Sequence, residues 1–114
     1  MLSRIEAIQK APEFEDLAKS QQEDEELKKI LEGNIKTSLQ LKEIQLPGSS
    51  SAIICDTSTA ISRPFVTKAF RHQIFQALHN LSHPGIKATT KLIKQKFIWP
   101  NIQQDCQKWA KSCI

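Results

Sequence analysis

The sequence predicts a mainly α chain with a small antiparallel β element, and three observations carry that expectation. Apolar residues recur at helical spacing over residues 12–33 and again from Thr67 onward. Between these stretches the period falls toward two and turn residues cluster, as in short strands. The charge also changes sign along the chain, acidic in the first half and basic in the second. Three compositional regions follow: an acidic helical linker over 1–34, a small β extension over 35–66, and a helical domain over 67–114.

In the first region Pro12 suits an opening helical turn, with Phe14, Leu17 and Ala18 forming an apolar stripe behind it. Ser20 with Glu23, or Asp24 alone, can cap a second helix carrying Leu27, Ile30 and Leu31, and Gly33-Asn34 is a stop signal. The run from Glu23 to Glu26 places acids where a helix N-terminus favours them and is expected to be a solvated cap without a partner.

In the second region Leu39 and Leu41 alternate with polar residues, while Ile44 and Leu46 alternate out of phase, which suggests a bulge. Pro47-Gly48-Ser49-Ser50-Ser51 reads as a turn, and Ala52-Ile53-Ile54-Cys55 as a strand with a buried thiol at Cys55. Arg63 to Val66 would add a third short strand at an edge, where Pro64 is tolerated. So small a sheet must pack on a helix.

From Thr67 the pattern is helical again. Thr67 can cap a helix whose inner face is Phe70, Ile74, Phe75, Leu78 and Leu81, broken by Pro84-Gly85. A second helix is expected over Ile86 to Gln95 with Leu92 and Ile93 inward. Asn101 then caps a third, running through Cys106, Trp109 and Ala110 to Cys113.

A chain of 114 residues suits one modest domain and leaves no room for a catalytic domain of ordinary size beside these helices. No apolar run approaches the ~20 residues that cross a bilayer, and the first residues lack a signal-peptide block, so an intracellular location and no membrane partner are expected. Three cysteines, an odd number, do not make a disulfide framework. There is no carboxylate pair, Ser/His/Asp set or glycine-rich phosphate loop, so neither catalysis nor a small-molecule substrate is indicated.

Residues 1–62 hold seven Lys/Arg against eleven Asp/Glu, a net of −4. Residues 63–114 hold nine against the single acid Asp105, a net of +8. Such a basic half suits a polyanion, and Lys87, Lys91, Lys94 and Lys96 are the candidate nucleic-acid contacts. His79 and His83 stand four apart on one helical face, and Cys113 ends a later helix. Two imidazoles and a thiolate are three ligands of a tetrahedral zinc shell. An isolated pair of histidines four apart is a weak signal. A pair followed by Pro-Gly, a Trp-Pro break and a helix ending in Cys is a much narrower one. His72 falls off the apolar face and is expected to be exposed. Cys106, seven residues before Cys113, is either a core thiol, the preferred reading, or a substitute ligand.

Arg71, Phe75, Leu78, His79, His83, Pro84, Gly85, Ile86 and Thr89, then Lys96, Phe97, Trp99 and Pro100, then Trp109 and Cys113, together resemble the H2C2 zinc-binding domain of integrases from gypsy-like LTR retrotransposons. The resemblance is dense over 63–114. Residues 13–62 look, more weakly, like the segment that links RNase H to integrase in such polyproteins. The resemblance implies a three-helix, helix-turn-helix-like bundle tied by one zinc through two His and two Cys. It implies a role in integrase self-association and in engaging the element's DNA ends, in the nucleus, with strand transfer left to a separate catalytic core. His79, His83 and Cys113 match three family ligands, and the fourth is expected beyond Ile114, three residues after Cys113. At Cys106 the family usually carries an aliphatic residue, which agrees with a core thiol. The competing expectation is a metal-independent helical protein-interaction module, a host-retained relic of a retroelement.

Overall fold

The computed structural model describes residues 12–45, 48, 51–81 and 86–112. Their order is α1 (Phe14–Gln21), α2 (Glu25–Leu31), β1 (Leu41–Gln45), β2 (Ala52–Asp56), β3 (Arg63–Pro64), α3 (Lys68–Leu81), α4 (Ile86–Lys96) and α5 (Ile102–Ser112). The strands form one antiparallel sheet in the order β1-β2-β3. The fold is thus mainly α with a small antiparallel sheet. Among the described residues no helix is long and apolar enough to cross a membrane.

The first two helices obey local rules. In α1, acids occupy the first turn and Lys19 the last, as the helix dipole favours. Pro12 lies just outside the helix rather than in its first turn, because Glu13 is the extended N-cap residue. The carboxylate of Asp24 caps α2 by accepting the Leu27 N–H at 2.8 Å. The helix closes when the Gly33 N–H donates to Ile30 O and the Asn34 N–H to Lys29 O, with Gly33 at φ +83°. That paired closure needs a residue in the left-handed region, which glycine enters without a Cβ clash.

The strand register corrects one expectation. Leu41 pairs with Asp56, Ile44 with Ile53 and Gln45 with Ala52 in unbroken sequence, so β1 contains no bulge. Ile44 and Ile53 share the core face, while Leu41, three residues earlier, belongs to the opposite face, beside Ile30, Ile35 and Leu39. The out-of-phase leucines reflect two apolar neighbourhoods served by one regular strand. Most of the expected Pro47–Ser51 turn lies outside the described residues, as do Ser82 to Gly85 with the expected Pro84-Gly85 break.

Short as it is, β3 is the seam of the molecule. The Phe65 N–H donates to Ile54 O of β2. On the other side the Val66 N–H donates to Ile98 O, and the Ile98 N–H to Pro64 O. The stretch from Pro64 to Val66 therefore joins the sheet to the segment between α4 and α5. Arg63 reinforces the seam: its guanidinium donates to Asp56 Oδ2 at 2.6 Å and to Lys94 O at 2.7 Å, the latter in the last turn of α4. Asp56 is fully buried. Burial pushes its carboxyl up, but the Gln40 N–H, the Ser58 hydroxyl and the Arg63 guanidinium outweigh burial and hold it below the ordinary carboxylate value.

One buried cluster spans all of this. Leu17 and Ala18 of α1, Ile53 and Cys55 of β2, Ile74, Phe75 and Leu78 of α3, Ile93 of α4 and Ile102, Cys106 and Ala110 of α5 belong to it, with Trp99 between the last two helices. Phe14 departs from its expected stripe and is 53% exposed, next to Ile61 rather than under the sheet.

Gln21, buried at the end of α1, does what a strand would do. Its Oε1 accepts the Ile54 N–H at 2.7 Å, and its Nε2 donates to Ile54 O at 3.0 Å and Phe65 O at 2.8 Å. A side-chain amide here satisfies backbone groups that a two-residue β3 is too short to reach. Gln21→Ala is expected to lower stability by about 2–3 kcal/mol, because it strands buried backbone groups without partners. The urea midpoint should fall while the slope m stays unchanged; an unchanged midpoint would mean that the amide contributes nothing net.

Candidate metal centre and basic groove

His79 lies near the end of α3, one helical turn after Phe75. Its half-buried ring stacks on Phe75 with centroids 5.2 Å apart and planes 12° from parallel. Nδ1 is 3.3 Å from the hydroxyl oxygen of Thr89, a fully buried residue of α4. The ring therefore clasps α3 to α4. When Nδ1–H donates to Thr89, the lone pair of Nε2 is available, and Nε2 has no hydrogen-bond partner among the described residues. Metal-bound imidazoles are held in this way, one nitrogen oriented by a protein acceptor and the other toward the ion. His79 fits a zinc ligand on that ground. His83 and Cys113, the other candidates, lie outside the described residues. Among the described residues no three His, Cys, Asp or Glu are grouped to hold a metal.

The helix that leads to Cys113 is anchored by aromatic packing. Trp109, four residues before Cys113 in the sequence, lies 5.6 Å from Phe75, 5.1 Å from His72 and 6.4 Å from Trp99, centroid to centroid. His72 is exposed against this indole. Trp99 is buried, and its Nε1–H donates to Asp105 Oδ2 at 3.0 Å, which accounts for the one acid of the basic half. Asn101 sits at φ +63°, a conformation asparagine tolerates, and its carbonyl accepts the Asp105 N–H to start α5.

Cys106 has no exposed surface and belongs to the core cluster. Burial pushes its thiol up to about 11, helped by the charge of Asp105, against the smaller opposing effects of the Thr90 hydrogen bond and Lys94. Its packing among the side chains of the core cluster is that of a small buried apolar group.

Of the four candidate lysines, three converge. Lys87, Lys91 and Lys94 share one face of α4 and form one wall of a groove of roughly 460 Å³, with Gln103 and Gln107 of α5 opposite. Lys94 Nζ reaches Gln103 Oε1 at 3.5 Å. Among the described residues no acid lines the groove. Lys96 does not line this groove: it faces a second hollow with Phe14 and Ile61, and Lys94 lies at the boundary and borders both. The two glutamines escape a sequence reading that weighs charge alone, although their four-residue spacing was the available signal. Two other basic residues are unavailable to a polyanion. Arg63 is paired with Asp56 at 2.6 Å, and Arg71 with Glu26 at 2.7 Å. Glu26 thereby corrects the reading of the Glu23–Glu26 run as a cap without a partner.

Residues 66–114 match the family model of the integrase zinc binding domain. The chain is also similar to the Pro-Pol polyprotein of Simian foamy virus type 1, with 29% identity over 90 residues, covering 79% of this chain and 8% of that protein. Its similarity to the transposon Tf2-3 polyprotein of Schizosaccharomyces pombe is 27% over 79 residues, covering 69% of this chain and 6% of the other. The transposon Tf2-4 polyprotein of the same organism matches to the same extent. The chain thus spans less than a tenth of these relatives, by the 8% and 6% coverage. No solved structure matches it significantly.

The burial of Cys106 makes a direct chemical prediction. In the folded chain at pH 8, a thiol reagent should leave Cys106 unmodified when labelled positions are mapped by mass spectrometry, and should modify it in urea. Labelling should grow only as pH approaches about 11, where the thiolate forms. Labelling at pH 8 as fast as in urea would place Cys106 outside the core.

Proposed function

We propose that this chain is a zinc-binding accessory module of a retroelement integrase, of the gypsy-like type, which assists integrase self-association and grips the element's DNA ends. In this reading it has no catalytic activity of its own and acts in the nucleus. Residues 67–114 are the zinc-binding domain, with 1–34 and 35–66 the linker and β extension that lead into it. The observation that carries the DNA reading is the groove with Lys87, Lys91 and Lys94 on one wall and no acid among its described lining residues. Three ammonium groups along about 10 Å of helix can meet successive phosphates of one strand, and the glutamine amides opposite can reach polar groups of the same ligand.

Zinc is held by His79, His83 and Cys113, with the fourth position filled from outside this set. Its contribution is structural: it ties the end of α3 to the end of α5 across a core too small to fix three short helices rigidly. Within the chain, Thr89 orients the His79 imidazole and Phe75 supports its face. His79→Ala and Cys113→Ala are each expected to abolish metal uptake, read as zinc content of the purified variants. Unchanged zinc in both would eliminate the assigned ligands.

A second reading is favoured by one observation. The bundle core continues into α1 and β2 through Leu17, Ile53 and Cys55, and this apolar continuity could hold the helices without metal. The chain would then be a metal-independent interaction module retained by a host.

The DNA reading is tested by salt. If the three groove lysines neutralise phosphates, log K for duplex DNA should fall against log salt with a slope of about −2.7, each contact contributing about −0.9. Changing all three to Gln should remove that slope. An unchanged slope in the triple variant would move the interface off this groove.

A further inference from the structure

Among the described residues three large apolar side chains are strongly exposed: Phe14 at 53%, Leu31 at 53% and Ile61 at 67%. Two of them, Phe14 and Ile61, flank a single hollow of roughly 850 Å³. Its apolar wall is completed by Pro64 and Phe97, and its charged wall by Lys94 and Lys96. The hollow gathers side chains from α1, the loop before β3, β3 itself and the end of α4. Clustered exposed apolar groups of this kind mark interaction sites more often than scattered single ones do.

We propose that this hollow docks an acidic, apolar peptide segment of a partner protein: a short helix or strand with bulky aliphatic anchors flanked by Asp or Glu. The apolar requirement comes from Phe14 and Ile61, which only a nonpolar side chain would cover usefully. The acidic requirement comes from charge. Lys96 stands at the hollow beside Lys94, which the hollow shares with the groove; among the described residues no acid lines it, and the third cation, Arg63, is already neutralised by Asp56. A nucleic acid would satisfy the lysines and leave both apolar side chains in water. Anchoring by a few apolar side chains with charges setting partner choice is a common mode of peptide recognition.

The proposal is tested on the full 114-residue chain by fluorescence anisotropy. The probe is a fluorescein-labelled synthetic helix with Leu on one face and Glu on the other, compared with the same helix carrying Lys for Glu. The Glu helix should bind saturably and the Lys helix should not. Ile61→Ser and Phe14→Ser should each weaken binding roughly tenfold or more, the cost of one poorly replaced anchor. Lys96→Glu, at an exposed position where folding is not at stake, should weaken the Glu helix and admit the Lys helix. Duplex DNA binding by Ile61→Ser should match the wild type, which separates this hollow from the lysine groove between α4 and α5. Absence of Glu-helix binding, equal binding by all variants, or no exchange of preference in Lys96→Glu would each overturn the proposal. So would self-association of the wild type in sedimentation that Ile61→Ser abolishes, since the hollow would then belong to a second copy.

Discussion

The guanidinium of Arg71 is the point on which the two halves of this chain depend. It is buried, 5% exposed, on the first turns of α3. Its Nε donates to Val66 O at 2.9 Å and its Nη2 to Glu26 of α2 at 2.7 Å, while its Cζ lies 5.7 Å from the ring centroids of both Phe65 and Trp99. A cation so placed is costly to desolvate and is tolerated because every neighbour answers it: a carbonyl, a carboxylate and two aromatic faces. Removing any partner leaves a buried charge incompletely compensated. The acidic first half and the basic second half of the sequence therefore meet inside the molecule, at Arg71–Glu26 and again at Arg63–Asp56.

This pairing alters what the charge asymmetry means. The net of +8 over residues 63–114 includes two arginines committed to holding α2 and the sheet onto the helices. What remains for a polyanion is a set of lysines, long and strongly hydrated, three of which share one groove. The arginines, with their planar forks, make the internal contacts, and the lysines supply the surface field.

The helices from Thr67 onward were legible because each carries one apolar face with a single period, and Ile74, Phe75, Leu78 and Ile93 are buried as that period requires. The position of Lys96 was also legible in principle, since nine residues beyond Lys87 is about half a turn away from it. Treating four lysines as one set ignored that rotation. The strand phase was harder to read, because Leu41 and Ile44 answer to different neighbours that only the tertiary fold supplies. Gln21 was not legible at all: nothing in its local sequence says that a helix-terminal amide will complete a sheet 33 residues away. Its spacing from His83 makes His79 a candidate ligand in the sequence, but its Thr89 partner depends on how α3 and α4 pack.

In the proposed function a metal at the end of α3 completes a bundle whose other side is secured by the sheet and the two arginines. Native mass spectrometry of the purified 114-residue chain, with far-ultraviolet circular dichroism followed as a zinc chelator is added, tests it most directly. The account predicts one zinc per chain and a loss of helical signal on chelation. A chain that carries no zinc, or whose spectrum is unchanged by the chelator, would contradict it and leave the apolar core as the sole support of the helices.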